Sequence, residues 1–173
     1  MPGDTRDECI GVVKVPLAPE VREYVKAGML DPSISGTMPA PPRTSADAVR
    51  TLRSAEEDIG SLRALITGSA LPKAGRSVLY ILPRVELAYM KLMEDVPDRD
   101  AESMRTLRLE NAGDALLLHL RQLDGVIGQT VRGEMGTALG GQLQCLIALK
   151  EVEDDYLDLR KVLDKGKGGG AGR

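Results

Sequence analysis

The feature that most constrains the fold is a run of apolar residues spaced alternately four and three positions apart. Between residues 48 and 66 the pattern is unbroken, at Ala48, Leu52, Ala55, Ile59, Leu62 and Ile66. This spacing places every apolar side chain on one face of a helix, as in a coiled-coil seam. Thr44 or Ser45 can cap the start of this helix, and Gly68 suits its end.

A second helix is predicted from about Ala74 to Glu94. Its apolar stripe has the same spacing, at Val78, Leu82, Val85, Tyr89 and Leu92. Pro83 lies inside this segment, so we expect it to kink the helix or to split it into two pieces.

Two further helices are expected in the second half of the chain. The third begins near Asp98 or Asp100, where acidic residues suit the helix dipole, and carries Met104, Leu109, Ala112, Leu116, Leu120, Leu123 and Ile127. The fourth spans about Glu134 to Lys165, with one side formed by Leu139, Leu143, Leu146, Leu149, Val152, Tyr156, Leu159 and Leu163. Its glycines at 136, 140 and 141 either permit close approach to a neighbouring backbone or mark a late start.

Four amphipathic helices joined by short connections predict an all-α fold. Turning each apolar stripe inward gives an up-down-up-down four-helix bundle over residues 44–165. The glycine-rich residues 166–173 are expected to form a disordered tail.

The N-terminal segment has a different composition. Seven of the ten prolines lie within the first 42 residues, and proline interrupts helices because it lacks the amide donor. Residues 1–43 are therefore predicted to be a proline-rich extended arm. One short helix is expected from about Pro19 to Ala27, and the segment 38–42 has the composition of polyproline II.

Composition also bounds the partners. The chain has 26 acidic and 23 basic residues and a formal net charge of −3, which argues against binding nucleic acid. Phe and Trp are absent, so bases have little to stack on. No apolar run approaches the roughly 18 residues of a membrane span, and the first residues lack the pattern of a signal or transit peptide. We therefore expect neither a nucleic-acid partner nor direct membrane insertion.

The polar residues do not indicate an active site. A di-metal site in a bundle needs two Glu-x-x-His pairs, but His119 is the single histidine and Leu116 lies three positions before it. We therefore expect no enzymatic activity and assign no catalytic, cofactor-binding or metal-binding residue. His119 itself is interpreted either as a histidine at the boundary of the core or as a pH-sensitive contact.

Two cysteines, Cys9 and Cys145, are too far apart in sequence for a close-spaced ligand motif. They are either two unrelated thiols or a disulfide that pins the arm to the bundle. The disulfide requires an oxidising compartment.

Basic residues cluster at two places. Lys73 and Arg76, with Arg84, lie around the start of the second helix, and Arg43 lies with Arg50 and Arg53 near the end of the arm. Each cluster is either a solvated face or a contact for an acidic partner. The candidate partner-binding residues are Pro39, Pro41, Pro42, Arg43, Lys73 and Arg76.

Three segments carry a resemblance to a known family. They are Glu57-Asp58-Ile59-Gly60-Ser61-Leu62-Arg63-Ala64-Leu65-Ile66 followed by Leu71-Pro72, then Val78-Leu79-Tyr80 with Leu87-Ala88-Tyr89-Met90-Lys91-Leu92, and finally Tyr156-Leu157-Asp158-Leu159-Arg160-Lys161-Val162-Leu163. Together with the proline-rich arm, this layout resembles the PsbQ-like extrinsic proteins of photosystem II, in pattern across residues 45 to 165.

The resemblance implies a non-enzymatic subunit peripheral to the membrane in the chloroplast thylakoid lumen. Such a protein docks on photosystem II subunits and stabilises the oxygen-evolving complex. Residues 15–43 would be the docking element, and the oxidising lumen would favour a bridge between Cys9 and Cys145. The alternative is a generic helical adaptor or scaffold, in an unknown soluble compartment, that binds a partner protein through a bundle face.

Overall fold

A computed structural model describes residues 40–165 of the chain. The predictions for the arm at 1–39, with its short helix, Pro39 and Cys9, and for the tail at 166–173 lie outside the described residues. The chain divides between Pro41 and Pro42, and the helices described below all belong to the second unit, Pro42–Arg173.

Every regular element of the described residues is helical, as predicted. Four long helices are joined by short connections, with one 3-10 helix between the second and third. Their bounds are α1 Ser45–Thr67, α2 Leu71–Glu94, the 3-10 helix Asp98–Asp100, α3 Met104–Val131 and α4 Ala138–Lys165.

Side-chain caps explain where two of the helices begin. Thr44 accepts a hydrogen bond from the backbone N–H of Asp47 at 3.1 Å and caps α1, as predicted. Ser103 accepts one from the N–H of Thr106 at 3.2 Å and caps α3. The predicted start of α3 near residue 98 or 100 is therefore wrong, because the acidic residues there form the separate 3-10 helix.

The other two helices differ from prediction for backbone reasons. Helix α4 begins at Ala138 and not near residue 134, because Gly133 and Gly136 have φ angles of 73° and 78°, outside the helical region. Helix α2 begins at Leu71, three residues before the predicted start, with a proline in its first turn. It continues through Pro83 as one helix, so the predicted split is not observed.

Contacts between the helices establish the topology. Consecutive helices pack together, and α1 also packs against α4. Ser45 at the start of α1 contacts Asp95 beyond the end of α2, whereas Asp58 further along α1 pairs with Arg84 earlier in α2. In the pairs α2–α3, α3–α4 and α1–α4, residues late in one helix likewise contact residues early in the other, so each pair is antiparallel. The described helices therefore form an up-down-up-down four-helix bundle.

The core lies along the axis of the bundle. The six apolar positions predicted for α1 are all buried, which confirms that stripe. The largest fully buried side chains are Leu52, Leu62, Ile66, Val78, Ile81, Val85, Leu116, Leu120, Leu123, Ile127, Leu149 and Leu159.

The predicted inward side of α4 is wrong at its first two turns. Leu139 and Leu143 are 66% and 52% exposed. The buried face of α4 is instead formed by Gly141, Cys145, Leu149, Val152, Tyr156 and Leu159. A Cβ atom on Gly141 would lie 2.3 Å from Cγ2 of Thr130 in α3. This glycine therefore allows α4 to pack closely against α3 with the Gly141 side of the helix facing the core. Met104, predicted for the core face of α3, is likewise exposed.

Tyr156 joins α4 to α1. Its side chain is buried, and its hydroxyl donates a hydrogen bond to the carbonyl oxygen of Leu52 at 2.8 Å. Burial favours the neutral phenol and raises the pKa of Tyr156 to about 12 from an ordinary value of 10.0.

This raised pKa predicts a specific loss of stability in alkali. Because the pKa is higher in the folded protein, the contribution of Tyr156 is complete below pH 10 and is lost as the pH rises to about 12. In urea unfolding, the free energy of unfolding of the wild type should fall more between these pH values than that of Tyr156→Phe, by about 2 kcal/mol. Equal slopes for the two proteins would contradict this assignment.

Replacing Gly113 of α3 by alanine is expected to destabilise the protein, although alanine normally stabilises a helix. A Cβ atom on Gly113 would lie 2.2 Å from Cε2 of Tyr89, whereas one on Gly125 of the same helix would meet nothing within 4 Å. The ring of Tyr89 cannot move freely, because its hydroxyl donates a hydrogen bond to Asp114 at 2.8 Å. We expect Gly113→Ala to lower the free energy of unfolding by about 1–3 kcal/mol through overpacking.

Gly125→Ala is the matched control. It should raise the free energy of unfolding by about 0.5–1 kcal/mol, because alanine favours the helix. Urea denaturation measures both changes, and stabilisation by both substitutions would show that Gly113 does not permit a tight contact.

Candidate functional site

An open groove of about 630 Å³ runs between the first half of α3 and the last half of α4. Its volume is in the range of ligand-binding clefts. It is lined by Met104, Arg105, Arg108, Asn111, Ala112, Ala115, Asp155, Asp158, Lys161, Val162 and Lys165. We name it the α3–α4 groove.

Helical spacing explains why these residues share one groove. On α3 the residues at 105, 108, 112 and 115 are spaced three, four and three apart, which places them on one face of the helix. On α4 the residues at 155, 158, 162 and 165 repeat the same spacing. Since α3 and α4 are antiparallel, the two rows face each other across the groove, with the short side chains of Ala112 and Ala115 leaving space between them.

The α3–α4 groove is basic. Four cations, Arg105, Arg108, Lys161 and Lys165, line it together with two carboxylates, and Lys161 pairs with Asp158 at 2.8 Å. The arginines and Lys165 make no ion pair with any described residue. The groove is therefore positive although the chain has a net charge of −3, so it favours an anionic ligand.

His119 lies one helical turn beyond Ala115 on α3 and contacts Asp155, which lines the groove. Its Nδ1 contacts the carboxylate of Asp155, and its Nε2 lies 3.4 Å from Oε2 of Glu151. The imidazole is half-buried between α3 and α4. This is the location expected for a histidine at the boundary of the core, one of the two interpretations of His119 from the sequence. The carboxylate of Asp155 is thus already engaged by a side chain of its own chain.

A second groove, of about 800 Å³, opens at the end of the bundle where α1 begins and α4 ends. Its apolar lining includes Val49, Leu92, Val96, Leu109 and Leu163. Arg105 and Val162 line both grooves, so the basic site has an apolar extension at the same end of the bundle.

The residues predicted for partner binding do not form one surface. Arg43 is exposed just before α1, whereas Lys73 and Arg76 are exposed in the first turns of α2. Because α1 and α2 are antiparallel, Arg43 and Lys73 lie at opposite ends of α1, about 35 Å apart at 1.5 Å per residue. Pro41 is exposed and Pro42 is half-buried.

Other charges of these clusters are engaged within the bundle. Arg84 pairs with Asp58 at 2.9 Å and lies 4.7 Å from the ring centre of Tyr80. Arg53 pairs with Asp164 at 2.7 Å. The basic groove was not predicted from the sequence. Its sequence signal is the three-four-three spacing on α3 and on α4, which indicates a groove only when these two helices are known to pack together.

Cys145 is fully buried on the core face of α4. Its sulfur lies 3.6 Å from Oγ1 of Thr130, and burial raises the pKa of its thiol. The predicted partner, Cys9, lies outside the described residues, so the disulfide stays a prediction.

Two kinds of feature are absent from the described part of the chain. Within residues 40–165, no three or more His, Cys, Asp and Glu side chains are grouped so that they could hold a metal ion. None of the helices there combines the length and the apolar character that crossing a membrane requires.

Comparison with known proteins adds no family to this description. The sequence matches no protein-family model, no curated protein and no solved structure. The surface of the bundle is therefore what indicates its function.

Proposed function

We propose that this chain is a non-enzymatic interaction protein that binds an acidic segment of a partner protein in the α3–α4 groove. The observation that carries this proposal is the cluster of four cations in a chain with a net charge of −3. Arg105, Arg108 and Lys165 have no ion-pair partner among the described residues, so their charges are available to a ligand.

The shape of the groove favours an extended or helical segment. It is bounded by two antiparallel helices, and the small side chains at Ala112 and Ala115 allow a third chain to approach closely. Met104 and Val162 offer apolar contacts, while the two arginines can each hold a carboxylate through two hydrogen bonds. An amphipathic helix with an apolar face and acidic flanks matches this combination.

The exposed apolar residues are concentrated on the two helices that form the groove. Seven of the nine large apolar side chains that are exposed belong to α3 and α4, and none belongs to α1. Of these seven, Met104 lines the α3–α4 groove, where it places an exposed apolar contact beside the cations.

A second candidate function is the one that the family resemblance implies. It is that of an extrinsic, peripheral subunit in the thylakoid lumen that docks on photosystem II through residues 15–43. A four-helix bundle is the architecture that the resemblance implies, which favours this candidate, although one fold can serve many functions.

Substitutions in the groove test the first proposal. We expect Arg105→Glu/Arg108→Glu to weaken binding of a fluorescein-labelled amphipathic peptide, with a leucine face flanked by glutamates, at least about tenfold, because two cations become repulsive anions. Fluorescence anisotropy measures the dissociation constant, and the wild-type affinity should decrease with added salt.

Lys73→Glu/Arg76→Glu is the matched control, since it changes the net charge equally at the other end of the bundle. It should bind the peptide with the wild-type affinity, and circular dichroism should show both variants folded. Equal weakening by the two double variants would mean that the groove is not the binding site.

Removal of residues 1–43 separates the two candidate functions. If the groove binds the partner, the shortened chain should retain the affinity of the full chain for the acidic peptide. If the arm docks the protein, the full chain should bind photosystem II membranes stripped of their extrinsic subunits, and the shortened chain should not. Sedimentation of the membranes with each protein measures this second outcome.

A further inference from the structure

The outer face of α4 carries three exposed apolar residues. Leu143, Ile147 and Leu157 are each about half exposed, at 52%, 58% and 49%. They lie on the side of α4 opposite the buried Leu149 and Val152. Helix α4 therefore has two apolar faces, of which the core of the bundle covers only one.

The exposed face has the spacing of a helix-pairing seam. From Leu143 the residues at 147, 150, 154, 157 and 161 follow at intervals of four, three, four, three and four. We name this row the α4 seam; its members are Leu143, Ile147, Lys150, Asp154, Leu157 and Lys161. Alternating intervals of four and three keep such a row in contact with a second helix along its length.

The α4 seam is complementary to the α4 seam of a second copy that runs in the opposite direction. We propose that two copies of this chain associate through their α4 seams, with the helices antiparallel about a two-fold axis level with residue 152. In this register Ile147 lies opposite Leu157 of the second copy, and Lys150 lies opposite Asp154 of the second copy. Each contact occurs twice, as the symmetry of an isologous dimer requires.

The charges at the centre of the seam favour a second, antiparallel copy of the chain as the partner. Lys150 and Asp154 pair within one chain at 2.5 Å, and both side chains are exposed. In the antiparallel dimer the four charges alternate around the axis, so every cation has anions on two sides. A parallel pair would instead place Lys150 against Lys150 and Asp154 against Asp154, which is unfavourable.

The neighbouring charges are compatible with this pairing. Glu153 is held by Arg63 of its own chain at 2.6 Å, and Glu151 lies beside His119. At the ends of the seam, Leu143 lies opposite Lys161, whose aliphatic stem can cover the leucine while its amine stays in water. The proposal is independent of peptide binding, since only Lys161 belongs to both surfaces.

Sedimentation equilibrium of the full chain tests the proposal. The wild type should be a dimer that dissociates on dilution, and Ile147→Glu should lower the association constant at least about tenfold, because each copy would place a charge against Leu157 of the other. The matched control is Leu118→Glu on α3, a position 52% exposed, which should leave the association constant unchanged. Circular dichroism checks that both variants fold.

A charge exchange tests the register. Lys150→Asp and Asp154→Lys each place four like charges around the axis, so each variant alone should associate at least about tenfold more weakly than the wild type. An equimolar mixture of the two variants should recover association, because their charges are opposite at every contact. A monomeric wild type, equal weakening by the α3 control, or no recovery on mixing would each overturn the proposal.

Discussion

The structure depends on the burial of one apolar stripe from each helix against the other three. Such burial contributes roughly 25 cal/mol for each Å² removed from water, and it fixes how each helix is rotated about its own axis. In α1 every large apolar residue of the stripe faces the core, so its outer side is polar. In α4 leucines occur on two faces, and the one that the bundle leaves uncovered is free for other contacts.

Small residues decide how far apart α3 and α4 lie along their length. At one end, Gly141 lets α4 approach the side chain of Thr130. At the other end, Ala112 and Ala115 leave the space that becomes the α3–α4 groove. The site is thus a consequence of packing. Helices α3 and α4 come into close contact where Gly141 permits it, and a groove remains where the short side chains of Ala112 and Ala115 on α3 face α4.

The helices were predictable from the sequence because periodicity is a local property. The stripe of α1, its cap at Thr44 and the presence of four long helices within residues 40–165 follow from spacing and turn residues alone. The rotation of α4 was not predictable in this way. Leu139 and Leu143 fit a helical stripe as well as Cys145 and Leu149 do, and the choice depends on the contact of Gly141 with another helix.

The groove was not predictable for a related reason. Arg105 and Lys165 are separated by most of two helices in sequence and meet only because α3 and α4 pack antiparallel. The basic residues singled out by sequence proximity, Arg43 and Lys73, lie at opposite ends of a helix. Clusters of charge along the chain are a poor guide to clusters on a bundle, since neighbouring helices reverse direction.

Chemical-shift mapping by NMR tests the central claim most directly, that the α3–α4 groove is the binding surface. Adding the acidic amphipathic peptide to the ¹⁵N-labelled full chain should shift amide signals of residues 104–115 and 155–165. It should leave the signals of residues 71–80, at the start of α2, unchanged. Shifts centred on the start of α2, or spread evenly over the four helices, would contradict the account.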